Sequence, residues 1–319
     1  MQTWAKQKQS GFTIVELLIV IVVIGILAAI TIVAYNGIQN MAKLAVAQAD
    51  LASSAKSLEA SRLLNAANGG AESYPATLND ITLKASNGVT YTQYIVNNTM
   101  SPPSYCLTAT KDGAPYSTTN GNQTAQAGTC VANMVPNPSL ETNTVGWGFS
   151  SGTSGVATAS LMTNGGAIAG STNYYRLAWT TAATVGWGGS QVTSIPVETG
   201  KTYSASAWVR VNRAQSVMMF IRASNYPTTA DATGPSVSAP VNGWVRVTAT
   251  FANVPSGVTS LSANMQRTGS GNWMAGDTFD TDALIFTEGT SAQNYADGET
   301  SNWVWTGTKH LSTSFGPSV

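Results

Sequence analysis

The chain has 319 residues, and its 15 Lys and Arg balance 15 Asp and Glu, so no overall field draws it to nucleic acid and no nucleic-acid partner is expected. Its length exceeds one small core and predicts two folded units after any targeting segment. With 9% charged residues, one His and two Cys, it holds no Cys/His zinc cluster and no phosphate-cradling Walker loop.

Residues 1–11 are polar, carry Lys6 and Lys8 and end in Ser10-Gly11; a positive flank of this kind stays cytoplasmic. From Phe12 to Ala34 the chain is apolar for 23 residues apart from Thr13, Thr31 and Glu16, enough to cross a hydrocarbon core of about 30 Å. A secretory signal would be cut after such a run, at small residues like Ala28-Ala29. Glu16 argues for a different reading, because a carboxylate inside a span costs roughly 2.5 kcal/mol or more unless it finds a partner. Cleavage after Gly11 would free an amine at Phe12 to be that partner.

The run Gly11-Phe12-Thr13-Ile14-Val15-Glu16-Leu17-Leu18, with the apolar stretch to Ile30, closely resembles the prepilin-type cleavage and methylation motif of type IV pilins and pseudopilins. The resemblance implies that a prepilin peptidase cuts after Gly11 and that Phe12 is N-methylated. It also implies that Glu16 pairs with the Phe12 ammonium of an adjoining pilin subunit, each buried charge offsetting the other. Inner-membrane pilus assembly machinery is a further implied partner. The precursor would be a single-pass inner-membrane protein, and the processed chain part of an extracellular pilus. Val33 stands where many pilins have a helix-kinking proline, so a kink would rest on Gly25 or Gly37. The alternative is a plain single-span anchor.

Beyond Ala34, Ile38, Met41, Ala45, Ala49, Ala52, Ala55 and Leu58 recur at helical intervals and extend the helix to about Leu64. Asn65 to Gly70 is a helix stop. After the loop Tyr74-Pro75-Ala76-Thr77-Leu78 and the turn Asn87-Gly88, alternation predicts strands. Cys106 and Cys130 lie in a polar, turn-rich stretch, where an exported pair is more readily bridged than free; two unrelated thiols are the alternative. Closing their 23 intervening residues would stabilise the head by roughly 3 kcal/mol. Tyr105 to Thr110 with Cys130 also resembles the disulfide-bounded loop of pilins, which carries that resemblance to about residue 131.

From Asn133 to Glu288, short strand-like runs separated by Gly, Pro, Asn and Ser predict a β-sandwich or jelly roll. In Tyr203–Val211 and Trp244–Phe251 apolar residues alternate with a face bearing Trp208, Arg210, Trp244 and Arg246, which Arg176 and Arg222 could join. Aromatic planes stack on sugar rings while guanidinium donors fix hydroxyls, so these four residues are glycan-binding candidates; cross-strand cation–π bracing is the alternative. Met134-Val135-Pro136-Asn137-Pro138-Ser139-Leu140-Glu141, Gly200 through Arg210, and Gly276 through Ala283 resemble carbohydrate-binding modules of the galactose-binding-like jelly-roll kind. Similar modules occur in phage tail proteins, whose ends resemble the words from Asp297-Gly298 to Ser314. No cofactor is required, but the resemblance implies a structural Ca²⁺ between Glu141 and Asp282; a turn and an edge hydrogen bond are the alternative.

The expected fold is α+β and multidomain. It comprises a leader (1–11), a long transmembrane and filament helix (12–64), a small β-rich pilin head (65–131), an all-β jelly-roll sandwich (133–288) and a C-terminal tail (289–319). The leading function is a major or minor type IV pilin that displays a surface-glycan-binding module. A pseudopilin of a type II secretion or DNA-uptake system, with the sandwich as a protein-interaction domain, is the alternative. A surface-anchored carbohydrate-active enzyme ranks below both. Asp277, Asp280, Asp282 and Glu288 crowd one short stretch instead of facing each other across a cleft, and the single His310 lies in the tail. No enzyme activity is expected.

Overall fold

The computed structural model describes residues 14–150, 157–183, 188–223, 230–269 and 272–318. Gly11 and Phe12, which carry the cleavage and methylation expectation, lie outside the described residues.

Helix α1 runs from Ile14 to Ala67, 54 residues, or about 80 Å. It ends where the Asn and Gly residues predict: Asn68 and Gly70 donate to the carbonyls of Leu64 and Asn65, and Gly69 takes a positive φ. Its first part is long and apolar enough to cross a membrane, and none of that window is buried in the protein. Its second part packs on the head along a stripe that shares Ala55 and Leu58 with the one the intervals suggested and departs from it nearer the membrane. Ala47, Leu51, Ala55 and Leu58 are fully buried, whereas Ile38, Met41, Ala45 and Ala49 are exposed. Alanines make every face of this segment look apolar. The larger Leu51 and Leu58, two turns apart, decide which face is desolvated.

The head is one antiparallel sheet in spatial order β1 (Val89–Asn97), β2 (Ser104–Lys111), β3 (Ala114–Thr119) and β4 (Gln126–Ala127). Tyr105, Leu107, Ala109, Tyr116 and Val89 meet the buried stripe of α1. Asp50 of the helix ties down the loop before β1 by accepting from Ser86 N and Oγ at 2.7 and 2.8 Å.

Strand β5 (Cys130–Asn133) leads into the sandwich, whose strands are β6 (Trp147–Ser150), β7 (Ala157–Met162), β8 (Tyr174–Trp179), β9 (Gly189–Pro196), β10 (Tyr203–Val211), β11 (Gln215–Ala223), β12 (Ala230–Thr233), β13 (Val237–Ala239), β14 (Trp244–Phe251), β15 (Ser260–Arg267) and β16 (Thr278–Glu288). They form a five-stranded sheet, β14-β10-β16-β8-β7, and a six-stranded sheet, β12-β11-β15-β9-β6, with β13 beside β11. Val209, Val247, Phe279 and Phe286 of the first sheet and Val192, Met219, Ile221 and Met265 of the second share one core. This is the expected sandwich.

Residues 289–318, read from sequence as a tail, are folded onto both units. Strands β17 (Val304–Trp305) and β18 (Ser314–Pro317) join β5 in a three-stranded sheet ordered β17-β18-β5. Cys106 of β2 and Cys130 of β5 form the expected disulfide. Asn133 fixes the sandwich side of the junction: its Nδ2 donates to Leu284 O and Ala296 O, and its Oδ1 accepts from Phe286 N. On the head side, Asn97 Nδ2 donates to Thr306 O at 2.6 Å. Gly316 lies against the Trp303 indole, where a Cβ would come within 2.5 Å of the ring.

Candidate functional site

The sandwich offers two outer faces. On the five-stranded sheet the register sets Trp244 beside Arg210, Arg210 beside Asp280 and Asp280 beside Arg176, one row across four strands. Asp280 is 1% exposed, and two guanidiniums satisfy it. Arg176 donates through Nε and Nη2 at 2.7 and 2.8 Å, and Arg210 through Nε at 2.9 Å. The Arg210 guanidinium also lies 4.6 Å from the Tyr174 ring centroid and 4.5 Å from that of Trp244. Arg246 donates to Ser206 Oγ and Ala292 O at 3.2 Å each and to Gln293 O. Half-buried Trp208 stands beside Arg246 and Asp282 in register. The four sequence candidates therefore share one face, and Arg210, Trp244 and Arg246 are engaged there in cross-strand bracing and a loop contact.

The chain from 165 to 173 crosses the same sheet and brings Glu141 and Asp282 to one cluster. Asp282 accepts from Ala167 N at 2.7 Å and Ser171 Oγ at 2.8 Å. Glu141 accepts from Thr172 N at 2.9 Å and Ser171 Oγ at 3.3 Å. Ser171 has one hydroxyl proton for three acceptors, the third being Asn173 O at 3.2 Å. Burial pushes the Asp282 carboxyl up to about 6; the Glu141 charge adds to the rise, and the hydrogen bonds from Ala167, Ser171 and Ala283 oppose it. Thr172 Oγ1 and Asn173 N also donate to Glu141, and Ala283 N donates to Asp282, so each carboxylate oxygen already has a donor; hard oxygens of this kind are also the type that binds calcium. Among the described residues, no three His, Cys, Asp or Glu side chains group to hold a metal, so hydroxyl, carbonyl and water oxygens would have to complete a shell.

Beside this cluster lies a cavity of about 360 Å³ whose lining includes Ser139, Glu141, Ser171, Tyr295, Asp297 and His310. Ser139 Oγ is 3.0 Å from His310 Nδ1, and Tyr295 OH donates to Asp297 Oδ2 at 2.8 Å. Sequence reasoning missed this convergence, because nothing local announces that residues 295–310 return to the start of the sandwich.

The outer face of the six-stranded sheet was also missed. Val217, Met219 and Ile221 of β11 and Leu261, Ala263 and Met265 of β15 enter the core, so Met218, Phe220, Arg222, Ser262, Asn264 and Gln266 point away from it. The register builds a row Thr233, Phe220, Asn264, Gln191, Gly148 across five strands. Phe220 is 3% and Asn264 1% exposed although both leave the core, as at the floor of a recess. Met218, Phe220, Arg222, Asp231, Thr233 and Gln266 line a pocket of about 140 Å³. Arg222 is held by a fork to Asp231, both bonds 2.7 Å, with its guanidinium 5.0 Å from the Phe220 centroid. The signal was present in the alternation of Ser262, Asn264 and Gln266 with apolar neighbours, but apolar Met218 and Phe220 disguised the outward side of β11.

Comparison with known proteins finds matches for two stretches of the chain. Residues 6–32 match the family model described as the prokaryotic N-terminal methylation motif, and residues 132–265 match that described as a carbohydrate binding domain. Over 72 residues the chain is 36% identical to the type II secretion system core protein G of Pseudomonas aeruginosa, a stretch that is 23% of this chain and 46% of the relative. The chain thus spans about half the length of that curated relative. Among solved structures, similarity extends to the CBM22-1 xylan-binding domain of Paenibacillus barcinonensis Xyn10C, at 14% identity and a TM-score of 0.37, covering 52% of this chain and 97% of that domain. Bacteriophage CBA120 tailspike protein 4 is similar at 18% identity and a TM-score of 0.37, over 49% of this chain and 21% of the tailspike chain.

Proposed function

We propose that this pilin-like chain is a type IV pilus subunit, cut after Gly11 by a prepilin peptidase, N-methylated at Phe12 and assembled from the inner membrane into a surface filament that displays a glycan-binding sandwich. The observation that carries this reading is the division of burial along α1: its second half is packed on the head, while its first half is apolar and, among the described residues, buried against nothing in its own chain. Such a helix needs a bilayer first and the helices of other subunits afterwards. A pseudopilin of a secretion machine is the second reading, favoured by the identity to core protein G.

For the sugar we favour the recess on the six-stranded sheet. There Thr233 and Gln266 stand near Phe220, with Gln191 one strand further along the row beside Asn264, all half-buried or exposed and offering amide and hydroxyl partners. Trp208, Arg210, Trp244 and Arg246 remain the competing face. Glu141 and Asp282, with Ser171, would hold a structural Ca²⁺ whose charge relieves their mutual repulsion. Mass spectrometry of sheared surface filaments tests the assembly reading. An N-methyl-Phe12 terminus in that fraction is the expected result; the intact chain confined to membranes would overturn it.

A further inference from the structure

Just beyond the apolar part of α1, the helix and the β2–β3 hairpin border a shallow, open notch of about 460 Å³ lined by Gln39, Ala42, Lys43, Val46, Lys111 and Asp112. The Lys111 ammonium is held in place: it donates to Asn87 O at 2.8 Å, lies 3.5 Å from Asp112 Oδ2, and fits over Gly88, where a Cβ would come within 2.7 Å of it. Half-buried Lys43 has no acidic partner among the described residues.

The height of this notch above a bilayer follows from helix geometry. A hydrocarbon core of about 30 Å takes about 20 helical residues, which brings a span starting near Ile14 to an end near Ala34. Tyr35, 61% exposed, then sits where tyrosines anchor at the interface. At about 1.5 Å per residue, Gln39 stands about 8 Å and Lys43 about 14 Å above the hydrocarbon edge. Helical side chains lean toward the N-terminus, here toward the membrane, so the Lys43 ammonium dips to the edge of a headgroup layer about 5–8 Å deep.

We propose that this notch is a seat for one phospholipid headgroup, the phosphate set against the Lys43 and Lys111 ammoniums and a headgroup amine against Asp112. Both signs of charge in the lining are used by a headgroup that carries a phosphate and a primary ammonium. A choline headgroup, its nitrogen fully methylated, cannot donate to Asp112, and a purely anionic headgroup leaves that carboxylate opposed. Occupancy would fix the depth and rotation of the unassembled subunit and end when the subunit leaves the bilayer. The proposal rests on the reading of α1 as a membrane span.

The test uses the full chain in nanodiscs containing equal phosphatidylethanolamine and phosphatidylcholine, with native mass spectrometry of the lipid that stays bound on release. One retained phosphatidylethanolamine is expected, its preference lost in Lys43→Glu and in Asp112→Asn, with hydrogen exchange at 111–114 slower in phosphatidylethanolamine discs than in phosphatidylcholine discs. Equal retention of the two lipids by the native chain would overturn the seat alone. A chain that enters neither disc would overturn the membrane reading beneath it. A Lys43→Glu variant that keeps the lipid preference but fails to form filaments would make the notch a contact between copies instead.

Discussion

Asp282 is the residue whose environment makes the most specific demand. Its carboxyl is raised from 3.8 to about 6 because burial disfavours the charged form, with Glu141 adding repulsion. A raised acid stabilises the fold while neutral, so this contribution is complete below about pH 4 and lost as pH climbs through about 6, at most about 3 kcal/mol. Thermal melts in chelator should therefore show stability falling between about pH 4 and pH 6 and levelling off above about pH 7, and Asp282→Asn should flatten that slope. Millimolar calcium at pH 8 should restore the lost stability by binding the folded state; melts indifferent to calcium would remove the ion from Glu141 and Asp282. The two outer faces are separable at the same scale. Gln191→Ala with Gln266→Ala should lower glycan retention on an array about thirtyfold without changing the melt, since each amide lost is worth roughly 1 kcal/mol. Trp208→Ala with Trp244→Ala should leave retention in place, and the reverse pattern would move the sugar to the five-stranded sheet.

The elements differ in how openly the sequence declares them, and α1 illustrates both outcomes. Its apolar run is a composition signal that no packing partner can disguise, and its end, read near Leu64, falls at Ala67, so the element was legible. Its packed face was legible only at Ala55 and Leu58, because alanine contributes little area and fits any side. Leu51→Ala should cost about 3 kcal/mol by opening a cavity against the head sheet, whereas Met41→Ala should change chemical denaturation by less than about 0.5 kcal/mol. Equal effects would return the packed stripe to the intervals read from sequence. The strands β10 and β14 were legible because small or branched apolar residues alternate with Ser, Thr, Trp and Arg, the period of a half-buried sheet. The core-facing side of β11 carries the same period, but Met218 and Phe220 fill its outer side with apolar groups and erase the contrast. Strands β17 and β18 span two and four residues, too short for any periodicity. What holds them is long-range: β5 pairing, the indole over Gly316 and the Asn97 contact, none visible in a local window.

On the scale of the whole molecule, the proposed function would have the chain carry tension from α1 to the sandwich, and the junction sets the route. Load entering the head sheet reaches β2, passes through the Cys106–Cys130 bond into β5 and leaves toward Met134, so the chain between the two cysteines is bypassed. That loop has a sequence separation of 24, and at about 3.5 Å per residue it holds roughly 80 Å of chain that tension cannot extend while the bond is intact. Strand β18 reinforces the same point, since it pairs with β5 from Cys130 to Asn133 and Ser318 N donates to Thr129 O. Pulling the full chain between its N-terminus and the sandwich in a single-molecule instrument should lengthen the head-unfolding step by about 80 Å when reductant is added. Removing residues 312–319 should lower the force at which head and sandwich separate and leave that difference in length unchanged. If oxidised and reduced chains extended equally, tension would be leaving the head by another path, and the disulfide would serve only to restrict the unfolded chain.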